Sequence, residues 1–411
     1  MIEVPRLIPI MDLRQKHQKQ RRPNPIQSAV KEWILSETKN ESNYLDDVLR
    51  EKLLGDAPKR FTVYEPLALL PSGSFSSEAW VGRLKSSNDE SRQRLWFLVL
   101  QAISKTNKSS LTHLAANEGI PLSQGDLAEE NRLRSPSRLR VLYGDFGPEE
   151  THTISGLSPP TQDFDRALWV STKQNGIHQH WSPRWTMFSR GNVKEKARLL
   201  KSGRPGPSAR MSSPAEQYWA IDLYAGIGYF TFSYASLKMR VLCWELNPWS
   251  VEGLRRGAIA NHWSVKIISG SELEQPVEDL ISGVGEQIIV FCEDNANAPE
   301  RVKRLQTKRL ALQVAHVNCG YLPSSELSWL PAWEMTRSVN VDARLHLHEN
   351  VAEGDIPARR VEVQRKFDEH TVSMADAPQT TVEHVELVKT FAPGVWHCVF
   401  DIHVKSSCGA T

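Results

Sequence analysis

The stretch YWAIDLYAGIGYFTFSYASLKMRVLCWELNP at residues 218–248 decides the fold. YWAID is a short apolar run ending on Asp222, after which Gly226 and Gly228 sit in a turn that leads into a segment of helical character. RVLCWE is a second apolar run, ending on Glu245. Asn247-Pro248 then starts a helix, with Asn as the cap and Pro at the first helical position. Strand, glycine turn, helix and strand at this spacing make a βαβ unit of a parallel sheet.

Working outward, further apolar runs follow at VKIIS, QIIVFCED, AHVNCGYLP, ARLHLHENV, VELVKTFAP and WHCVFDIHV. They predict a Rossmann-type α/β sheet over residues 184–411, interrupted by a flexible, Gly/Pro/Ser-rich loop, KSGRPGPSARMSSPAEQ, at 201–217. Upstream, residues 1–60 combine a basic arm, Arg14 to Arg22, with one helix over IQSAVKEWILSE. Residues 61–183 read as a smaller α/β domain. In it RQRLWFLVLQAIS and HLAANEG read as helical, and RALWVSTKQNGIHQHWSP alternates like a hairpin.

Composition sets the outer limits. With 411 residues, 40% hydrophobic and 24% charged, the chain has ample material for two or three globular domains. A net charge of +2 neither requires nor excludes a nucleic-acid partner, so that case rests on local patches. No apolar run is long enough to span a bilayer, and the apolar opening MIEVPRLIPIM precedes its basic cluster, the reverse of a secretory signal. Five cysteines without a CxxC pair argue against a disulfide framework. A cytoplasmic protein with no membrane partner is expected.

Two glycines after a strand are ordinary turn chemistry when taken alone. The carboxylate ending the next strand changes the reading, because Glu245 stands where an acid accepts hydrogen bonds from both ribose hydroxyls of a nucleotide-type ligand. A dinucleotide site normally carries a third glycine, and here that position is Thr231. An adenosyl cofactor therefore fits better than a dinucleotide. The candidate cofactor-binding residues from this constellation are Asp222, Ala225, Gly226, Gly228, Glu245 and Asn247, together with Asp294, which follows the strand QIIVF and could accept from the adenine amine.

At these residues the chain resembles the wybutosine-synthesising tRNA aminocarboxypropyltransferases, relatives of the tRNA guanine-N1 methyltransferases. The resemblance is carried by LRVLYGDFGP (139–148), ALWVSTKQNGI (167–177), WTMFSRGNVKEKAR (185–198), IDLYAGIGYFTF (221–232), ELNP (245–248), YLPSSE (321–326), LHLHENV (345–351) and VKTFAPGVWH (388–397). It covers about the last two-thirds of the chain. It implies a class I S-adenosylmethionine-dependent methyltransferase-like fold and S-adenosylmethionine as co-substrate. It also implies cofactor contacts from Ser189 and Lys196, which lie seven residues apart and would share one face of a helix spanning both. The family's Gly-Asp-Asn-Arg element is Cys292-Glu293-Asp294-Asn295 here, and the Asn-Pro-Pro-Tyr of amino-directed methyltransferases is replaced by Asn318-Cys-Gly-Tyr.

The activity implied is transfer of the 3-amino-3-carboxypropyl group to a tricyclic wyosine precursor next to the anticodon of phenylalanine tRNA. A tRNA guanine-N1 methyltransferase and a non-catalytic RNA-binding protein with a transferase fold are the alternatives. An RNA partner calls for cations and stacking rings. Candidates are Arg14, Lys16, Lys19, Arg21, Arg22, the run Arg132 to Arg140, the cluster Arg184, Arg190 and Lys194, and the rings of Trp169, Trp181 and Trp185. His178 with His180, and His346 with His348, lack a third ligand at recognisable spacing, so no metal is expected. Cys243, Cys292 and Cys319 read as small buried hydrophobes, and no residue is assigned as general base.

Overall fold

The computed structural model describes residues 23–37, 46–117, 123–124, 129–130, 139–149, 159–202, 218–281, 283, 285–307, 312–337, 341–372 and 378–406. The basic arm, Arg132 and the loop from 203 to 217 lie outside them. Contacts divide the chain into two compact units, one running through Phe61 and resuming at Gly73–Ser109, the other comprising Thr62–Ser72 and Ser110 onward.

The first unit is helical: α1 (Pro25–Glu37), α2 (Asp47–Asp56), α3 (Glu78–Ser86) and α4 (Asp89–Asn107). Asp46, Ser77 and Asn88 each cap the following helix by accepting a backbone N–H, which satisfies donors that a helix start otherwise leaves open. The apolar spacing of α1 buries Ile26, Val30, Trp33 and Ile34. Trp33 stacks on Trp80 at 5.9 Å, and a buried Arg83–Glu37 pair at 2.6 Å joins α3 to α1.

The second unit holds two principal sheets. The smaller is ordered β1-β2-β3-β6, from β1 (Thr62–Tyr64), β2 (Leu67–Leu70), β3 (His113–Asn117) and β6 (Leu139–Tyr143). The short β4 (Ser123–Gln124) and β5 (Glu129–Glu130) pair with each other. Of HLAANEG, expected to be helical, HLAAN instead forms β3, and the last two residues lie outside the described ones. Leu114, Ala115 and Ala116 are fully buried between β2 and β6, and burial on both faces overrides the weak strand preference of alanine. After α5 (Thr161–Arg166) the expected hairpin forms as β7 (Val170–Gln174) and β8 (Ile177–Trp181).

The larger sheet follows α6 (Val193–Ser202). Its strands are β9 (Tyr218–Asp222), β10 (Arg240–Trp244), β11 (Val265–Ile268), β12 (Ile288–Phe291), β13 (Gln313–Cys319), β14 (Ala343–Ala352), β15 (Thr380–Ala392) and β16 (Val395–Val404). The spatial order is β11-β12-β10-β9-β13-β14-β16-β15, parallel as far as β14, with β16 antiparallel to both β14 and β15. The connecting helices are α7 (Thr231–Ser236), α8 (Pro248–Ala260), α9 (Val277–Ile281), α10 (Ala298–Thr307), α11 (Trp329–Glu334) and α12 (Ile356–Val372). One apolar cluster, including Trp244, Phe291, Trp329 and Trp333, fills one face of this sheet; a second, including Phe232, Tyr234 and Leu254, fills the other.

The three-way division expected at residues 60 and 183 differs from this arrangement. Thr62–Ser72 and the segment after Ser110 contact the larger sheet's unit because β2 pairs with β3, and because the β7–β8 hairpin is tied to α8. That tie is reciprocal: the His178 N–H donates to Asn261 Oδ1 at 2.9 Å, and Asn261 Nδ2 donates to the His178 carbonyl at 2.7 Å. A third cluster places Ile227, between the two loop glycines, against Tyr64, Leu67, Phe146 and Trp181 of the small sheet and hairpin. Among the described residues no helix is long and apolar enough to cross a membrane.

Candidate cofactor site

Strand β9 has β10 on one side and β13 on the other, so the chain leaves it at the switch point where open α/β sheets bind ligands, beyond the carboxyl ends of the strands. The loop Leu223–Phe230 starts there. Gly226 and Gly228 have φ of +55° and +88°, a region that residues with a Cβ avoid, and a Cβ on Gly228 would meet the Phe232 ring at 2.5 Å. Ala225 is buried, with its N–H on the Trp244 carbonyl at 3.0 Å.

Glu245 is the polar centre of this loop. Oε2 accepts the Gly226 N–H and Oε1 the Asn247 N–H, both at 2.8 Å. The Leu246 N–H bonds it too, and the lone-pair directions left beyond these three donors are available to a hydroxyl. Burial pushes its pKa up to about 7, against the downward pull of the Asn247 and Gly226 N–H groups. Asn247 caps α8 through the Trp249 N–H at 2.9 Å and donates to the Trp185 carbonyl at 3.3 Å; Pro248 is at the helix start.

Asp222 has a different role from the ligand contact expected of it. It is fully enclosed, accepting from Thr231 N–H at 3.0 Å, Thr231 Oγ1 at 2.8 Å and Asn318 Nδ2 at 3.0 Å. Thr231, the residue in place of a third glycine, thus pins the first turn of α7 to the strand end. Burial raises the Asp222 pKa, with these hydrogen bonds opposing the shift. Asp294 lies past the end of β12, where its side chain accepts the Ala296 N–H at 2.9 Å, and Asn295 Nδ2 donates to the Leu223 carbonyl at 2.8 Å. Glu293 is taken up by Arg301 at 2.6 Å and Trp244 Nε1 at 3.1 Å.

Ser189 and Lys196 reach the loop by a route other than one shared helix. Ser189 precedes a single 3-10 turn, Arg190–Asn192, and α6 begins only at Val193. Tyr229, next to Gly228, makes the connection: its hydroxyl accepts the Ser189 N–H at 2.9 Å and donates to the Met187 carbonyl at 2.7 Å. Lys196 is 4% exposed, yet among the described residues its Nζ donates to the amide oxygens of Gln174 at 2.5 Å and Gln179 at 2.7 Å, from the β7–β8 hairpin. It also lies 5.6 Å from the Tyr229 ring centroid. Burial pulls its pKa down to about 8. A buried ammonium held by neutral amides is matched to an anion, since buried charges are normally paired.

The helix carrying Lys196 is itself anchored. Arg198 bonds Glu195 at 2.6 Å and Asp401 at 2.5 Å, and Asp401 accepts from His346 at 2.7 Å, which in turn meets His316 at 3.0 Å. Of this network only His346 is singled out from sequence, as a metal ligand that is set aside; Lys389, whose Nζ donates to Ser189 Oγ at 3.3 Å, is not. The signal available was alternation: His346, His348, His397 and Asp401 all recur at even spacing on strands.

The RNA candidates fare unevenly. Arg184 pairs with Glu149 at 3.5 Å, Lys194 with Glu386 at 2.8 Å, and Arg190 donates to Thr62 Oγ1 at 3.1 Å, so the expected cluster is largely internally engaged. Trp181 is buried and stacks on Phe188 at 4.2 Å; Trp169 and Trp185 both stack on Trp249. Arg140 lies on β6. Cys243 and Cys319 are buried with raised pKa values, the latter to about 12, which fits packing and not nucleophilicity. Among the described residues no group of three or more His, Cys, Asp or Glu could hold a metal.

No family model matches the chain. Among solved structures, Pyrococcus horikoshii TYW2 in complex with MeSAdo covers 90% of this chain and 99% of its own at 18% identity and a TM-score of 0.50. Pyrococcus abyssi Trm5b covers 88% of this chain and 79% of its own at 14% identity, also with a TM-score of 0.50. Both establish the fold. In sequence, the chain is 39% identical to tRNA wybutosine-synthesizing protein 2 of Schizosaccharomyces pombe over 84% of this chain and 72% of that one. It is 30% identical to the protein of that name in Saccharomyces cerevisiae over 92% of this chain and 80% of that one. With likeness of this extent joined to the loop geometry above, the chain belongs to the tRNA wybutosine-synthesizing protein 2 family.

Proposed function

We infer that this chain transfers the 3-amino-3-carboxypropyl group of S-adenosylmethionine to a tricyclic wyosine precursor base next to the anticodon of phenylalanine tRNA. Family membership supports the pathway, and the observation that carries the chemistry is Lys196: a buried cation with neutral partners, on the helix that follows Ser189. The donor set fits the co-substrate group by group. Glu245 offers acceptors to the ribose hydroxyls, Asp294 one to the adenine amine, and Lys196 a cation to the amino-acid carboxylate.

S-adenosylmethionine supplies three electrophilic carbons around one sulfonium, and orientation selects among them. This chain's residues do the orienting. The glycine loop brings backbone close, Glu245 holds the loop through Gly226, and Tyr229 holds the Ser189 segment against it. Glu245 at the ribose and Lys196 at the carboxylate would hold the two ends of the co-substrate, and the orientation they impose would select the carbon presented. Asn318, which begins the Asn-Cys-Gly-Tyr that stands in place of Asn-Pro-Pro-Tyr, donates its Nδ2 to Asp222.

Product analysis on precursor-bearing tRNA tests the reading. An amino-acid-bearing adduct with methylthioadenosine as by-product is expected; a methyl adduct with S-adenosylhomocysteine overturns it in favour of guanine-N1 methylation. Calorimetry with S-adenosylmethionine separates both from a non-catalytic RNA-binding protein, for which no binding would be seen.

A further inference from the structure

On the face of the larger sheet that carries α7, the carboxyl-end rows of β14, β16 and β15 are polar. Asn350 stands opposite His397, and His397 opposite Lys389, in register across the three strands. His348, two residues before Asn350 on the same face, meets His397 through Nδ1 and Nε2 at 2.9 Å. Both imidazoles are 1% exposed, and their outer nitrogens, His348 Nε2 and His397 Nδ1, are buried without a hydrogen-bond partner. So are both amide atoms of Asn350. Buried polar atoms in native proteins are nearly all satisfied, and here four of them lie together on neighbouring positions of β14 and β16, where polar groups of a ligand would satisfy them.

The row lies beside the candidate cofactor site. The His348 ring packs 4.9 Å from Phe230, the last residue of the glycine loop, and Lys389 reaches Ser189. Gly191 leaves the space Lys389 occupies, since a Cβ there would meet its side chain at 2.3 Å. The charged groups facing the pair are Lys389 on β15, with Asp401, Arg198 and His346 behind it. Burial above all keeps both rings neutral; Lys389 adds to it at His397, and at His348 Arg198 adds to it while Asp401 opposes it.

Two neutral imidazoles sharing one hydrogen bond have a fixed consequence. Whichever ring donates, one outer nitrogen carries a proton and the other a free lone pair. We propose that His348 and His397, with Asn350 and Lys389 beside them, form the subsite for the acceptor heterocycle, with Asn350 and Lys389 binding its polar edge and the histidine pair accepting the proton from its nucleophilic carbon. This rests on the transferase reading above. The acceptor carbon bonds to the methylene carbon next to sulfur, and the carbon–sulfur bond breaks with its electron pair remaining on sulfur. The acceptor's proton goes to the free imidazole lone pair, leaving the pair with one positive charge, and it is given up to water once the product has left.

The test uses the full chain and precursor-bearing tRNA. His397→Gln should bind S-adenosylmethionine within about twofold of wild type yet lose on the order of 100-fold in single-turnover transfer, the range of a lost general base. A primary isotope effect should appear with precursor deuterated at the acceptor carbon. Asn350→Ala should raise the KM for tRNA severalfold with a smaller change in kcat. Wild-type transfer by a folded His397→Gln overturns the proposal. Should that variant fail to fold, an unchanged tRNA KM in Asn350→Ala overturns it instead. Methyl transfer by the wild-type chain fails the transferase reading itself, a distinct outcome.

Discussion

Gly226 donates its backbone N–H to Oε2 of Glu245 at 2.8 Å, so the acid at the end of β10 is tied to the loop at the end of β9. Removing the acid therefore loses ribose acceptors and loop order together. Glu245→Ala is expected to weaken S-adenosylmethionine binding by roughly 10- to 100-fold, the equivalent of about 1.5–3 kcal/mol for hydrogen bonds to a charged group. Calorimetry measures it, and an affinity within twofold of wild type would remove Glu245 from the site.

The raised Glu245 pKa, about 7, adds a pH signature. Below that value the acid is protonated and offers fewer acceptors, so cofactor affinity should fall as pH drops from 8 to 6. Binding favours the carboxylate and should release a proton near neutrality. Titrations in buffers of different ionisation enthalpy detect that release, and Glu245→Gln should abolish it.

How much of this was legible in the sequence depended on whether the signal was local. The β9–loop–β10 unit was legible because a strand, two glycines and an acid carry their pattern within one short stretch, and the Asn247 cap is a two-residue signature. β3 was misread because HLAAN lacks β-branched residues, and only its neighbours on both sides make it a strand. Asp222 was recognised as important but given a ligand's role, since nothing local says that Asn318, far along the chain, donates to it. Lys389 and the β14–β16 polar rows depend on cross-strand register, which no short window contains.

Lys196 yields a prediction in which binding and stability move apart. Its folded pKa, about 8, lies below the ordinary 10.5, so between these values the unfolded chain binds more protons and stability rises with pH. Below pH 8 the buried cation is a standing cost. Lys196→Met should therefore weaken S-adenosylmethionine binding about 10-fold or more while leaving Tm unchanged or higher, and should flatten the rise in stability from pH 8 to 10. A lowered Tm with unchanged affinity would make Lys196 a packing residue only.

Asp222→Asn tests the loop anchor. The amide would turn a donor toward groups that already donate, from Thr231 and Asn318, leaving buried polar atoms unsatisfied. Destabilisation of about 2–4 kcal/mol is expected, read by urea unfolding, with cofactor affinity falling as the loop loses its hold. A variant as stable as wild type would show that the loop does not depend on this carboxylate.

Arg198 joins two carboxylates that have no water to turn to, Glu195 and Asp401. Burial pushes the Asp401 carboxyl up, but the bonds from His346 and Arg198 outweigh it and hold the group well below the usual range. That depressed pKa contributes stability present above about 3.8, the ordinary value, and lost as pH falls further. Arg198→Met leaves buried acids without their cation, at a cost of about 3–5 kcal/mol near neutral pH. In the variant, protonation relieves Asp401, so its deficit relative to wild type should shrink between pH 7.5 and pH 5. Urea unfolding at the two pH values measures this, and a deficit that is equal at both would mean that Arg198 contributes by packing and not by charge.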